Sequence, residues 1–250
     1  MKVKAKKAIL AILLFLIVIV FVTLVNSINF NRERVKFNSE RCECSSCNEC
    51  EILLNDSTCQ IVKLKSDIVN YTKKCINNVP SNKVFDCQTH KIDGIRELVI
   101  EWGIYTKNKE NITIKNCYVS DFNQAIYIRE VNYSFVQNNK LINNINQGVY
   151  LLYSSHNKIE NNYAENNWIG YLSSGETDRY NKFYNNIATK NKIGFYFYGH
   201  YNEISYNKAC DNIVNNVRGD VVCNSAPDNY GYNNSFRAVV YCPNINYTKC

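Results

Sequence analysis

From residue 103 onward, apolar and polar residues alternate in short runs, and asparagine-rich corners separate the runs. Gly103-Ile104-Tyr105 recurs as Ala125-Ile126-Tyr127, Gly148-Val149-Tyr150, Gly170-Tyr171-Leu172 and Gly194-Phe195-Tyr196, at spacings of 22, 23, 22 and 24 residues. A second column runs through NITIKN at 111–116, NYSFVQN at 132–138, NKIEN at 157–161, NKFYN at 181–185 and NEISY at 202–206. A third follows as a polar turn. Period-two alternation gives a strand one clean apolar face, which it would not give a helix. Ile104, Ile126, Val149, Tyr171 and Phe195 are therefore expected to point inward, and Tyr105, Tyr127, Tyr150, Leu172 and Tyr196 outward. A unit of about 22 residues cannot bury its own apolar face, so successive units must stack. Three short strands per unit, with units about 4.8 Å apart, make a parallel β-helix. A leucine-rich repeat of similar period would need an L-x-x-L-x-L spacing, which this chain lacks.

Composition then explains the corners. The chain has about 40 asparagines beside 9 Gly and 3 Pro. Asn tolerates the left-handed backbone that corners require, and Asn116, Asn138, Asn161 and Asn185 recur at one place per coil. Stacked in register, their amides are expected to hydrogen-bond from coil to coil.

The first residues set the compartment. Lys2, Lys4, Lys6 and Lys7 precede residues 8–25, which are apolar except for Thr23. Eighteen such residues reach about 27 Å as a helix, nearly a hydrocarbon core. The segment reads as a membrane anchor, or as a signal sequence cleaved near 25–27, with residues 28–250 extracytoplasmic in either case. The net charge of +7 comes largely from this flank: 29 basic residues less these four leave 25 against 22 acids. That balance gives no electrostatic footprint for nucleic acid. Six N-x-S/T sequons, at Asn55, Asn70, Asn111, Asn132, Asn233 and Asn246, suit an exported chain.

An open solenoid needs a cap at each end. Cys42, Cys44, Cys47, Cys50, Cys59 and Cys75 precede the coils, and Cys210, Cys223, Cys242 and Cys250 follow them. The run Cys42 to Cys50 keeps C-x2-C spacings that also suit a zinc or iron–sulfur site, or a redox-active pair. The even count of 12 and the oxidising side of the membrane favour disulfides. Cys87 and Cys117 fall at one position on successive coils, at a spacing a disulfide accepts, and are expected to stack and bond.

The units GVYLLYSSHNKIENNYAENNWIGYL and GYLSSGETDRYNKFYNNIATKNKIGFYF resemble the right-handed parallel β-helix repeats of the NosD-like family, which is related to pectin-degrading enzymes and to carbohydrate-binding surface proteins. VFDCQTHKIDG, at 84–94, resembles the motif that opens such domains in archaeal surface proteins, with Thr89 where a Gly usually stands. The resemblance implies an all-β, right-handed parallel β-helix of about five to six coils of 21–24 residues. The implied organisation is an anchor or signal at 1–27, a linker at 28–41, a Cys-rich cap at 42–83, the β-helix at 84–216 and a second cap at 217–250.

Function is less legible, because this fold hosts many activities. Pectinase-like hydrolases need paired acids on adjacent coils, but Asp121 is followed in its column by Asn144, Asn166 and Lys190. Glu176, Asp178 and Arg179 in SSGETDRY read as a solvated loop, and Arg129 with Glu130 as a surface pair. His90, His156 and His200 are scattered, and a single Met leaves no thioether copper site. No catalytic residue, metal site or cofactor is assigned. Tyr105, Tyr127, Tyr150 and Tyr196, extended by Leu152 and Tyr198, form an outward stripe. It either stacks on itself to stabilise the sheet or binds glycan or an envelope partner. The competing readings are a non-catalytic surface binder, a structural spacer, and a polysaccharide lyase or hydrolase.

Overall fold

The structure, a computed structural model, describes residues 20–21, 42–97, 102–212 and 220–250. The expected anchor at 8–25 and linker at 28–41 lie almost wholly outside the described residues. The chain divides into two units, 1–42 and 43–250, and the second holds all the strands described below.

That unit is an all-β parallel solenoid of three faces. Face 1 stacks Ile61–Leu64, Val84–Asp86, Thr113–Lys115, Phe135–Gln137, Lys158–Glu160, Lys182–Tyr184, Glu203–Ser205 and the start of Tyr230–Phe236. Face 2 stacks Lys91–Asp93, Tyr118–Ser120, Lys140–Ile142, Tyr163–Glu165, Ile187–Thr189 and Lys208–Ala209. Face 3 stacks Trp102–Glu110, Gln124–Asn132, Gln147–Leu152, Ile169–Ser173, Ile193–Phe197, Val221–Cys223 and Val239–Val240. There are about eight turns, not five to six. The additional turns lie at the ends, where the Gly-apolar-Tyr signature is missing. Val62 and Leu64 are buried on face 1 ahead of the first repeat, and Asn244–Lys249 pairs with Tyr230–Phe236 after the last.

The inward columns follow the alternation. Ile104, Ile126, Val149, Tyr171 and Phe195 stand in register and are fully buried. Volume is conserved across the core. Face 2 narrows to Ala164, Ala188 and Ala209 in the coils where face 3 widens to Tyr171 and Phe195, stacked 4.6 Å apart. The Tyr171 hydroxyl donates to Asn162 O at 2.8 Å, so the large ring carries no orphaned polar atom. Gly170 is the second residue of its face 3 strand, where a Cβ would lie 2.7 Å from Gly194 O and 3.2 Å from Ala188 Cβ. Close approach of one coil to the next therefore selects glycine at the head of that repeat.

Each corner uses two consecutive residues. The first has φ near +55°, as in Asn116, Asn138, Asn161 and Asn185. The second turns its side chain inward. Asn139, Asn162, Asn186, Asn207 and Asn234 form a buried ladder, each backbone N–H donating to the next Oδ1 at 2.8–3.0 Å. Asn144, Asn167, Asn191 and Asn212 repeat it at the second corner, and Ser134, Asn157, Asn181, Asn202 and Asn229 at the third. The expected amide stacking thus corrects by one residue. The outer column makes isolated contacts, such as Asn185 Nδ2 to Asn161 Oδ1 at 2.7 Å, while the continuous ladder is the buried one. Burial removes water as an alternative partner, so an amide that both accepts and donates satisfies the corner. At the opening turn, Gln88 and Thr89 both adopt positive φ, and the turn closes without glycine.

The ends are closed by disulfides. Helix α1, Cys47–Asn55, starts at Ser46, whose Oγ accepts from Glu49 N at 3.3 Å. Glu49 in turn accepts from Ser45 N at 2.7 Å, a near capping box written in the sequence S-C-N-E. The helix packs on Glu43–Cys44 and Ile61–Leu64 and buries Cys47, Cys50 and Leu54. Cys44–Cys50 and Cys47–Cys75 hold it down. Cys210–Cys250 and Cys223–Cys242 tie the other end, and Cys87–Cys117 joins successive coils as expected. Cys42 and Cys59 are disulfide-bonded too, so no thiol of the cluster is left for a metal.

Candidate functional site

The outward tyrosines fall into two groups. Tyr105, Tyr127 and Tyr150 are in register on face 3 and half-buried, with Tyr105–Tyr127 centroids 5.1 Å apart and Tyr127–Tyr150 4.6 Å. Trp102 extends the stack at 4.5 Å from Tyr105. Tyr127 and Tyr150 stack face to face at an interplanar angle of 7°, whereas Tyr105 is tilted by 47° to Tyr127. Burial pushes the Tyr127 phenol up to about 12. Leu172 interrupts the column and is itself buried. Tyr196 and Tyr198 lie beyond it as a second pair, 5.0 Å apart. Leu152 belongs to the neighbouring column, in register with Arg129.

More exposed rings border face 1, where the sequence reading placed none. Tyr133, His156, Tyr180 and Tyr201 stack along the third corner at centroid separations of 5.0, 5.1 and 5.9 Å, all at positive φ. Tyr184, Tyr206 and Tyr232 form a second row, 5.0 and 5.5 Å apart. The available signal was an aromatic residue in the place before each inward corner residue, as in Tyr180-Asn181 and Tyr201-Asn202.

The insertion that carries Glu176, Asp178 and Arg179 is not simply solvated. Glu176 and Arg179 are exposed, but Asp178 is fully buried. Its carboxylate accepts from Ser154 N, from Gly175 N at 2.9 Å and from Ser173 Oγ at 3.0 Å, which pins the insertion to the coils below. Desolvation outweighs these donors and raises the carboxyl to about 6. The raised value means stability is present below about pH 4 and is lost as pH rises through 6. Relative to Asp178→Asn, the wild type should lose about 3 kcal/mol between pH 3 and pH 7 in urea titrations. A pH-independent difference would refute the assignment.

The other polar candidates are paired. Arg129 Nε lies 3.0 Å from Glu130 Oε1, His90 3.0 Å from Asp67, and His200 3.2 Å from Asp228. Asp93 pairs with Lys91 at 2.8 Å and accepts from Ser120, and burial together with Asp93 pushes the Asp121 carboxyl up. The positive-φ corner column runs Asp121, Asn143, Asn166, Lys190, so Asn143 holds the place expected of Asn144, which is buried. Among the sequons, Asn55, Asn70, Asn111, Asn233 and Asn246 are exposed. Asn132 is half-buried and accepts from Ser155 N at 3.0 Å and Ser155 Oγ at 2.8 Å.

A groove of about 300 Å³ lies along the second corner, between faces 2 and 3. Its floor is the Asn144, Asn167 and Asn191 ladder, and its walls include Arg96, Ile145, Trp168, Lys190 and Lys192. Trp168 is 49% exposed, with Lys192 Nζ 3.5 Å from its ring centroid.

A family model described as a right handed beta helix region matches residues 81–236. The catalytic domain of a GH87 α-1,3-glucanase variant in complex with tetrasaccharides superposes with a TM-score of 0.55 at 15% identity, over 76% of this chain and 43% of that one. An alginate lyase from Paenibacillus sp. str. FPU-7 superposes with a TM-score of 0.52 at 11% identity, over 78% and 75%. The chain thus spans less than half of the glucanase domain, and at these identities the likeness is one of fold. No curated protein sequence matches the chain.

Proposed function

This chain belongs to the right-handed β-helix family, and on that footing we propose that it is a non-catalytic, membrane-anchored surface protein that binds glycan. The observation that carries the reading is the pair of exposed aromatic rows flanking face 1. Tyrosine offers large contact area with few rotatable bonds and a polar tip, which suits recognition of hydroxyl-rich ligands. Exposed aromatic patches of this extent mark interaction surfaces. The apolar segment at 8–25, the sequons and the wholly oxidised cysteines support display outside the membrane. The two solved structures described above are a glucanase domain and an alginate lyase, which supports a glycan as ligand.

The test is a glycan array probed with the full chain in nanodiscs. Tyr201→Asn with Tyr206→Asn is expected to weaken binding at least tenfold while leaving the melting temperature unchanged, because Asn is the residue other corners use at positive φ. No binding to any glycan or envelope fraction would favour a structural spacer. Release of unsaturated or reducing sugars from a polyuronide would make the protein an enzyme.

A further inference from the structure

The groove at the second corner differs chemically from the tyrosine rows. It spans the Asn144, Asn167 and Asn191 levels, two coil steps or about 10 Å, which is room for a short saccharide rather than a single ion. Its floor amides are spent on one another: Asn144 Nδ2 donates to Asn167 Oδ1 and Asn167 Nδ2 to Asn191 Oδ1, at 3.1 and 3.0 Å. A ligand must therefore be read by the walls. Lys190 is paired with Glu165 at 2.7 Å, which neutralises it. The Arg96 guanidinium and the Lys192 ammonium have no carboxylate partner among the described residues. The half-exposed indole of Trp168 lines the same groove with Ile145, and the Lys192 ammonium lies over one of its ring faces, 3.5 Å from the centroid.

Resting on the glycan-binding reading above, we infer that this groove takes the acidic residues of an anionic glycan. A pyranose ring packs against the part of the Trp168 indole that Lys192 leaves exposed, and its oxyanions reach Arg96 and Lys192. An indole supplies a flat apolar surface for the ring, and a guanidinium supplies paired donors for a carboxylate or sulfate. The cations sit on a surface corner, so the attraction is screened by salt.

The full chain in nanodiscs is titrated with oligouronates, sulfated galactan oligomers, neutral gluco-oligomers and inorganic polyphosphate. Acidic oligosaccharides should bind, with affinity falling as salt rises, and the uronate and sulfate arms identify which oxyanion is read. Trp168→Ala and Arg96→Gln should each reduce this binding at least tenfold without changing the melting temperature, since both side chains are exposed. Polyphosphate binding as tight as the sugar, and indifferent to Trp168→Ala, would reduce the groove to plain electrostatics and overturn the inference. Neutral oligomers binding through the tyrosine rows, with both groove variants silent, would overturn the groove alone. Failure of every glycan to bind would overturn this inference and the function together.

Discussion

Asn162→Ala should destabilise the solenoid by about 2–5 kcal/mol, whereas Asn161→Ala, one residue earlier, should cost about 1 kcal/mol. The two asparagines look alike in sequence but face opposite ways. Asn162 Oδ1 accepts from Asn139 N at 2.9 Å and from Asn139 Nδ2 at 3.0 Å, and its Nδ2 donates to Val136 O at 2.8 Å. Removing it leaves the buried Asn139 N–H without a partner, at roughly 1–3 kcal/mol, and also strips the amide bonds to Asn139 Nδ2, Asn186 Oδ1 and the Val136 carbonyl, at about 1 kcal/mol each. Asn161 is exposed, its amide oxygen accepts from Asn185, and its φ of 55° is only mildly unfavourable for Ala. Asn162→Asp is a second probe. It keeps the acceptor but loses the donor and buries a charge, so it should be no better tolerated than Ala. Equal urea midpoints for the 161 and 162 variants would refute the ladder as a stabilising element.

Reduction of the disulfides should unravel the two ends while sparing the middle coils. Cys47–Cys75 closes a separation of 28 residues and Cys210–Cys250 one of 40. Constraining the unfolded chain over such loops is worth about 3.5 and about 4 kcal/mol. In a solenoid each coil contacts only its neighbours, so loss of an end is felt locally. Amide exchange after reduction should rise through residues 43–76 and 221–249, while 113–205 stay protected. Cys87–Cys117 lies inside the stack, where ladder and core already hold the coils, and its loss should matter less. Uniform exchange along the chain would show that the bridges do not act as end caps.

Much of the fold was legible because a solenoid repeats itself. Each face 3 strand must bury alternate residues against the next coil, so the Gly-apolar-Tyr column declared both the period and the inward face. The extra turns were not legible, since the end coils bury cysteine and isoleucine in place of the repeat signature. The cap helix was partly so: its S-C-N-E start is a local signal, but its packing on the first strands is not.

The sequence by itself determined the period, the coil architecture, the inward and outward columns of face 3 and the Cys87–Cys117 bond, because these depend on local alternation and register. The tertiary structure decided which asparagine of each corner pair is buried, that Asp178 lies inside the wall, which cysteines pair at the ends, and that Arg96 and Trp168, far apart in the chain, line one groove. Those outcomes depend on contacts between coils, where burial decides the role of a residue that sequence leaves ambiguous.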